Sequence, residues 1–351
     1  MTAKLHLYNE PFRLQLIGSI RILCSKAQST KHKAQSTKTK DPSPKTSLMP
    51  SLVECVPNFS EGRRPEVVSL IAEAIARVDT ACILDTHIDP DHNRSVITFV
   101  ASPESIVEAA VKAVARASQL IDMRTHRGEH PRLGATDVLP FVPIEGVTLD
   151  ECARLAHSAG ERIANELSIP VYFYERAALR GDRVNLEDVR RGALELLREQ
   201  ITTNPERAPD AGAARVHETA GAIAVGARPF LIAFNVVLQS TDILLARRIA
   251  KAIRARDGGL PFLKALGFQL HSRSLVQVSM NLVNFEVTGM TQAYLAVQRE
   301  AERIGVKIAS AEIVGLVPRK ALDRDAEYFA KLSNFSEAKI LENQIEKCSG
   351  L

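Results

Sequence analysis

The chain has 351 residues, of which 45% are hydrophobic and 25% are charged, the balance of an ordinary globular protein. This length exceeds that of one compact core and predicts two domains. No apolar run approaches the roughly 18 residues that span a bilayer, so we expect no membrane segment. The net charge is +4, but residues 1–48 hold nine basic and two acidic side chains, a net +7. Residues 49–351 therefore carry −3, which gives no indication of a nucleic-acid partner.

The first 48 residues differ from the rest. The hexapeptide Lys-Ala-Gln-Ser-Thr-Lys occurs at 26–31 and again at 33–38, and residues 25–48 contain almost no apolar side chains. Such a segment buries too little surface to order itself, so we predict a disordered basic tail. It resembles an organelle transit peptide. The alternative that we favour is that Met49 is the true start.

The five cysteines form no Cys-x-x-Cys pair, and three of them lie in apolar runs. Buried free thiols in a reducing compartment are the interpretation we favour, which predicts a cytoplasmic protein.

Hydrophobic periodicity becomes clear after Met49. For the first half it predicts strands at 51–57, 80–86, 94–101, 138–144 and 169–174, and helices at 65–78, 103–121 and 148–167. Ser102 is the predicted N-cap of the second helix, and Thr148 with Glu151 predicts a capping box for the third. The polar stretch 181–226, rich in glycine, alanine and proline around 205–212, predicts a helix followed by a long loop.

The second half repeats the order strand–helix–strand–strand–helix–strand. Its predicted strands are 230–238, 263–270, 275–283 and 306–317, and its predicted helices are 241–255 and 291–304. This order is that of a ferredoxin-like split βαβ unit and is also recognisable in the first half. We therefore expect an α+β fold of two related ferredoxin-like subdomains, at 49–227 and 228–325, which cover one another or leave a cleft between them, and a C-terminal extension at 326–351.

The densest polar cluster is Arg-Thr-His-Arg-Gly-Glu-His-Pro-Arg at 124–132. His126, Glu129 and His130 match the H-x-x-E-H pattern of an inverted zinc-protease motif, which needs a helix to bring both histidines to one face. Gly128 and Pro131 oppose a helix here, because a residue before proline is driven out of the α region. We predict a rigid loop that carries catalysis, with a solvated loop that binds nothing as the alternative.

Three further segments are candidates for a functional site. His87 to Arg94 holds histidines and carboxylates that could bind a metal, or else a backbone-capping turn. The residues at 57–62 lie at the end of the first strand and are a second candidate site. The alternative is that they form a helix-capping turn. Glycines at 212–221 and at 226 permit close approach to a flat ligand, or else mark a flexible linker.

Several of these segments, in order, resemble the formiminotransferase domain family over about residues 51–325. The resemblance lies in Val-Glu-Cys-Val-Pro-Asn-Phe-Ser-Glu-Gly at 53–62, Asn-Arg at 93–94, Gln-Leu-Ile-Asp-Met at 119–123, Gly-Glu-His-Pro-Arg-Leu-Gly at 128–134, Gly-Ala-Arg at 226–228, Ala-Phe-Asn at 233–235, Phe-Glu-Val-Thr-Gly at 285–289 and Gly-Leu-Val-Pro at 315–318. Many animal members continue into a cyclodeaminase domain. This chain is similar to the form without it.

The resemblance implies a one-carbon transferase of histidine degradation, which moves a formimino group from N-formimino-L-glutamate to tetrahydrofolate without a metal. It also implies two α/β subdomains with a substrate groove, which binds folate, between them, and usually a homodimer. The family's catalytic histidine falls on His130, and we expect Glu129 to orient it. The family's folate-binding segment falls on Gly212, Ala213, Ala214, Arg215, Val216, His217, Glu218, Thr219, Ala220 and Gly221. Both substrates carry carboxylates, so the candidate contacts are Arg94, Arg132, Arg228 and Asn58.

Two departures from the family pattern bear on the site. His87 stands where some members carry an aspartate implicated in the chemistry, and Arg215, His217 and Glu218 make the folate segment more polar than in other members. Three alternatives stay open: a formyl-folate and glutamate transferase, a metal-dependent hydrolase that uses the histidines and Asp89, and a folate-binding protein without catalysis.

Overall fold

The computed structural model describes residues 51–128, 130–322, 324, 332 and 335–349. The tail predicted at 1–48 and the orienting role predicted for Glu129 therefore lie outside the described residues. The fold is α+β, with two sheets that each carry helices. None of the described helices is long and apolar enough to cross a bilayer.

The first sheet has seven strands and is built from the first half of the chain. Its strands are β1 (Leu52–Cys55), β2 (Asn58–Phe59), β3 (Cys82–Asp89), β4 (Arg94–Ala101), β5 (Thr136–Glu145), β6 (Val171–Glu175) and β7 (Ile223–Ala227). In space β3 lies at one edge beside β4, then β1 and β2 together, then β5, β7 and β6. The pairs that β7 makes with β5 and β6 are parallel, and the others are antiparallel.

Three long helices cover one face of this sheet: α1 (Pro65–Ala76), α2 (Pro103–Leu120) and α3 (Leu149–Leu167). Each carries an apolar stripe at helical spacing, as in α1 with Val67, Val68, Ile71 and Ile75. The stripes pack against inward side chains of the strands to form the largest core. The capping box of Thr148 and Glu151 is confirmed, whereas Ser102 occupies the N-cap position of α2 without capping through its side chain.

The opposite face of the first sheet is covered in two ways. Beside β6 and β7, α4 (Leu186–Val189) and α5 (Ala193–Gln200) pack on Tyr172, Tyr174 and neighbouring apolar residues. Beside β3 and β4, the second half of the chain provides the cover, as at Asp91, which accepts hydrogen bonds from the amide and hydroxyl of Ser272 at 2.8 and 2.6 Å.

The second sheet has four antiparallel strands. The elements follow in the order β8 (Ile232–Leu238), α6 (Ile243–Ile253), β9 (Leu263–Leu270), β10 (Leu275–Leu282), α7 (Met290–Arg303) and β11 (Ile308–Val314). The spatial order is β11-β8-β10-β9, with β9 at an edge. Both helices pack on one face, where Phe234, Val278 and Met280 form the core. The other face, which includes Phe268 and Gln277, meets the first half of the chain.

Two expectations are wrong. The strand β7 lies in the stretch expected to be a helix and a loop, because its five residues, Ile-Ala-Val-Gly-Ala, are all buried between β5 and β6 and do not alternate in polarity. Cys82 of β3 forms a disulfide with Cys348 of α8 (Leu341–Ser349), so these two cysteines are not free thiols. Cys55 and Cys152 are buried free thiols, as expected.

Candidate active site

The predicted loop between α2 and β5 is confirmed in its described residues, since those between 124 and 132 adopt turns and bends rather than a helix. His126 and His130 consequently do not share a helical face, as the zinc-protease pattern would need. A side chain on Gly128 would collide with the backbone carbonyl of His92, so the close approach of this loop to the β3–β4 turn requires glycine.

His130 is half-buried against the second half of the chain. Its Nδ1 lies 2.8 Å from the carbonyl oxygen of Pro131, which fixes Nδ1 as the donor. Its ring stacks on Phe268 of β9 with centroids 5.5 Å apart. Among the described residues Nε2 has no hydrogen-bond partner, so this nitrogen keeps an available lone pair.

The pKa of His130 is held well below its usual 6.5, first by burial and then by the charges of Arg94 and Arg190. Asp137 opposes this shift only in part. The imidazole is therefore neutral near pH 7, as a group that is to accept a proton must be.

The two arginines are held by Asp137, a fully buried carboxylate. Arg94 Nη1 donates to Asp137 Oδ2 at 2.7 Å, and Arg190 binds both carboxylate oxygens. Asn58 Oδ1 accepts from Arg94 Nη2 at 2.6 Å. Burial alone would raise the pKa of Asp137, but Arg190 and Arg94 outweigh it and hold the pKa at about 2. Two cations on one carboxylate leave a net positive charge beside His130, suited to an anionic group.

A β-bulge brings Asp137 to this position. Asn58 of β2 pairs with Val138 and Phe59 pairs with Thr136, so Asp137 has no cross-strand partner. An extra residue of this kind interrupts the regular alternation of a strand and so changes the direction in which a side chain points.

Sequence reasoning missed Asp137 and Arg190. Asp137 closes the polar run after Arg132 and gave a weak signal, whereas Arg190 lies in a stretch assigned to a helix and a loop and gave none.

His126 is buried and has partners on both ring nitrogens. Nε2 lies 3.1 Å from the carbonyl oxygen of Asn93, and Nδ1 accepts from Arg132 Nε at 3.2 Å. Arg132 also forms a two-pronged ion pair with Glu195 at 2.7 and 3.3 Å. His126 thus joins the loop to the β3–β4 turn, and Arg132, a predicted substrate contact, already has a carboxylate partner.

The segment 87–94, for which a metal site and a capping turn were both open, forms the end of β3 and a turn that leads into β4. His92 Nδ1 lies 2.5 Å from Asp89 Oδ2, and Asn93 accepts from the Gly62 amide at 3.0 Å and donates to the Arg127 carbonyl at 2.9 Å. His87 lies on β3, where burial lowers its pKa. Across the described part of the chain, no three His, Cys, Asp or Glu side chains are grouped as metal ligands. The capping-turn alternative accounts for these contacts.

Arg228 lies close to Glu54 of β1. Both side chains are buried, at 8% and 1% exposure. Glu54 Oε2 has no hydrogen-bond partner, and no ion pair joins the two residues. Burial raises the pKa of Glu54 to about 7 although Arg228 opposes the shift. Gln277 Nε2, on the strand next to Phe268, is another of the buried side-chain atoms without a hydrogen-bond partner.

The segment 212–221 begins beside α3 and ends next to residues 133–135, which follow the loop of His130. Gly212 packs near Ala164, whereas Gly221 forms a bridge with Gly134, and the Ala135 amide donates to Ala220 at 2.8 Å. Both glycines have positive φ, 86° and 77°. His217 Nδ1 accepts from the Ala220 amide at 3.0 Å, which closes the turn. The structure therefore brings the end of this segment, but not its start, next to residues 133–135.

A neutral histidine beside two arginines, on an α+β fold, is an arrangement that can carry out acid–base chemistry on anionic molecules. Residues 52–228 match the profile of the Formiminotransferase domain, N-terminal subdomain, and residues 233–348 match that of the Formiminotransferase domain. The chain belongs to the formiminotransferase domain family.

Relatives of known name agree with this assignment. The chain is 49% identical over 303 residues to a glutamate formimidoyltransferase of Thermoplasma acidophilum, which covers 86% of this chain and 99% of that protein. It is 45% identical over 298 residues to a glutamate formimidoyltransferase of Streptococcus pyogenes serotype M1, which covers 85% and 99%. A formimidoyltransferase-cyclodeaminase of Sus scrofa is 44% identical over 292 residues, 82% of this chain but 54% of that protein.

Proposed function

We propose that this protein is a glutamate formimidoyltransferase, which transfers the formimino group from N-formimino-L-glutamate to tetrahydrofolate and releases L-glutamate. The observation that carries the proposal is the identity of 49% and 45% to two enzymes of that name, over nearly their whole length. The chemistry of the site is consistent with it, since the reaction needs a proton carrier near neutral pH and cationic groups for carboxylates.

In this mechanism N5 of tetrahydrofolate attacks the formimino carbon and a tetrahedral intermediate forms. His130 Nε2 accepts the proton that N5 loses, and the same group returns a proton to the nitrogen of the departing glutamate. The hydrogen bond from Nδ1 to Pro131 keeps Nε2 as the basic nitrogen. A histidinium of depressed pKa is a strong acid, so the second step is also favoured.

We assign the carboxylates of N-formimino-L-glutamate to Arg94 and Arg190. Its α-carboxylate lies only a few bonds from the reacting carbon, so its partners must lie close to His130, as these two arginines do. Asn58 and Asp137 position Arg94. Arg132 and Arg228 remain candidates of lower rank, because neither is among the main charges that shift the pKa of His130. Glu129 remains the proposed orienting residue for His130.

We infer that each half of the chain is a ferredoxin-like subdomain, at 49–227 and 228–325, with a C-terminal extension at 326–351. In both sheets the first strand of a βαββαβ series lies between the third and the fourth. We further propose a cytoplasmic homodimer that needs no metal, with the pterin of tetrahydrofolate beside the Gly221 end of the segment 212–221.

The test is turnover of N-formimino-L-glutamate with tetrahydrofolate by the purified full chain, with a metal chelator present. Formation of 5-formimidoyltetrahydrofolate is followed by its acid conversion to the methenyl form. We expect turnover that survives chelation. A folded protein that uses N-formyl-L-glutamate but not the formimino compound would overturn the proposed donor, and activity that chelation abolishes would overturn the metal-free mechanism.

A further inference from the structure

A disulfide joins distant parts of the chain. Cys82 lies at the start of β3, the edge strand of the first sheet, and Cys348 lies in α8, 266 residues further along the sequence. Beside this bond, Leu341 of α8 packs with Leu84 of β3 and with Leu316, which follows β11. The helix α8 therefore rests on both halves of the chain.

The backbone before α8 is bound to the second half. The Val317 amide donates to the Lys339 carbonyl at 2.9 Å, and the Leu341 amide donates to the Val317 carbonyl at 2.9 Å. These two bonds form a short parallel bridge between Val317 and Ile340. Residues 337–349, which we call the C-terminal strap, are therefore hydrogen-bonded to the second half and covalently attached to the first.

Besides the disulfide, the described contacts of the strap with the first half are modest. Lys339 Nζ lies 3.6 Å from Asp85 Oδ1, and a partly exposed ion pair contributes little. Leu341 and Ile345 supply apolar contact, but residues 346–348 at the end of α8 are exposed. A helix of nine residues is also unstable in isolation. The attachment of α8 to β3 consequently depends on the disulfide.

The disulfide is accessible, unlike the described free thiols. Cys348 is exposed and Cys82 is half-buried. Cys55 and Cys152 are buried, and burial raises the pKa of the Cys152 thiol to about 12 and that of Cys55 well above its usual value. Because only a thiolate takes part in disulfide exchange, these two thiols are inert near neutral pH. Among the described cysteines, the Cys82–Cys348 pair is therefore the one open to redox chemistry.

We propose that Cys82 and Cys348 form a reversible redox site, at which a dithiol reductant breaks the bond and releases the strap from β3. One thiolate of the dithiol attacks the exposed Cys348 sulfur, forms a mixed disulfide and expels Cys82 as a thiolate. The second thiolate attacks the dithiol's own sulfur in that mixed disulfide and expels Cys348. The dithiol leaves as a disulfide, having given up two electrons and two protons, and both cysteines end as thiols.

Release of the strap changes how the two halves are held. The His130 ring stacks on Phe268, and Asp91 binds Ser272, so noncovalent contacts join the halves beside the candidate site. The disulfide adds a covalent link between the same halves, which restricts the unfolded chain over 266 residues. The oxidised protein should therefore be the more stable form, and the reduced protein should keep its fold while the strap opens.

The test uses the full chain in two states, treated with oxidised glutathione or with dithiothreitol. Mass spectrometry of a digest made without reductant detects peptides joined through Cys82 and Cys348, and hydrogen–deuterium exchange follows residues 337–349. We expect the joined peptides only in the oxidised state. After reduction, amide exchange in the strap should be about 10-fold faster, and the midpoint of thermal unfolding should fall by about 5 °C.

The matched control is Cys348→Ser, in which an exposed serine replaces an exposed cysteine. This variant should show fast strap exchange in both states and should not respond to dithiothreitol. In the parent, exchange in α3, which holds the buried Cys152, should be the same in both states. These measurements do not depend on the proposed reaction, so they test this inference independently of it.

Three results would overturn the proposal. The first is the absence of joined peptides after oxidation, and the second is equal strap exchange in the oxidised and reduced parent. The third is a Cys348→Ser variant whose strap exchange and thermal midpoint still change with dithiothreitol as those of the parent do.

Discussion

His126 and His130 lie four residues apart on one loop, yet their surroundings differ. His126 has partners on both ring nitrogens, Asn93 and Arg132, and joins the loop to its neighbours. His130 has a partner on Nδ1 only, its own neighbour Pro131, and its ring faces Phe268 of the other half. Burial lowers the pKa of both. The difference shows that the available nitrogen, rather than burial or the pKa shift, separates a candidate catalyst from a structural histidine.

Two carboxyl groups, those of Asp137 and Glu54, show a similar contrast in their bonding partners. Asp137 is bound by two arginines and its pKa is held at about 2, whereas Glu54 has an oxygen without a partner and a pKa raised to about 7. Both are buried. Removing a partner from a fully paired buried group is costly, and a buried group that lacks a partner lowers stability.

The largest expected effect is that of removing His130, whose Nε2 is available to accept a proton. His130→Ala should lower kcat by about 10²–10⁴-fold, the usual contribution of a positioned acid–base group, with little loss of stability. Steady-state turnover and thermal unfolding check this. A variant with kcat near that of the parent would assign the proton transfer to another group.

Asp137→Asn should destabilise the protein by roughly 3–5 kcal/mol, because it leaves Arg94 and Arg190 buried without their shared counter-charge. Urea denaturation measures the change. Asp150→Asn removes a carboxylate from an exposed ion pair with Arg176 and serves as the control, for which we expect no measurable change. Equal effects of the two substitutions would contradict the role given to Asp137.

Glu54→Gln should change stability in a pH-dependent way. The unfolded carboxyl releases its proton near 4.5 and the folded one near 7, so the folded state holds more protons between these values. Stability contributed by the protonated form is complete below pH 4.5 and is lost as the pH rises through 7. Relative to the parent, the variant should gain up to about 3 kcal/mol between pH 4.5 and pH 8. Denaturation at both pH values tests this, and a difference independent of pH would contradict it.

The smallest expected effect is that of His126→Gln. Losing the contacts of a structural histidine should cost about 1 kcal/mol of stability and leave the pH dependence of kcat unchanged. Urea denaturation and a pH–rate profile measure the two. A shifted profile would show that His126 takes part in proton transfer.

Periodicity predicted most helices and strands because each buries one regular face against its own half. It missed β7, a run of five buried residues without polar alternation whose strand conformation depends on β5 and β6 on either side. The turn at 87–94 and the loop at 124–132 could be predicted from the conformational preferences of the residues within them. Arg190 and Asp137, 53 residues apart, and Cys82 and Cys348, 266 apart, meet only through the tertiary fold and leave no local pattern.

The most direct test of the account is the pH dependence of kcat/KM for the full chain. If neutral His130 accepts the proton, kcat/KM should fall only when the pH drops through its depressed pKa, and should be level at and above pH 6.5. An acidic limb centred at or above pH 6.5 would contradict the account, because it would mean that the proton acceptor is not a buried histidine beside two arginines.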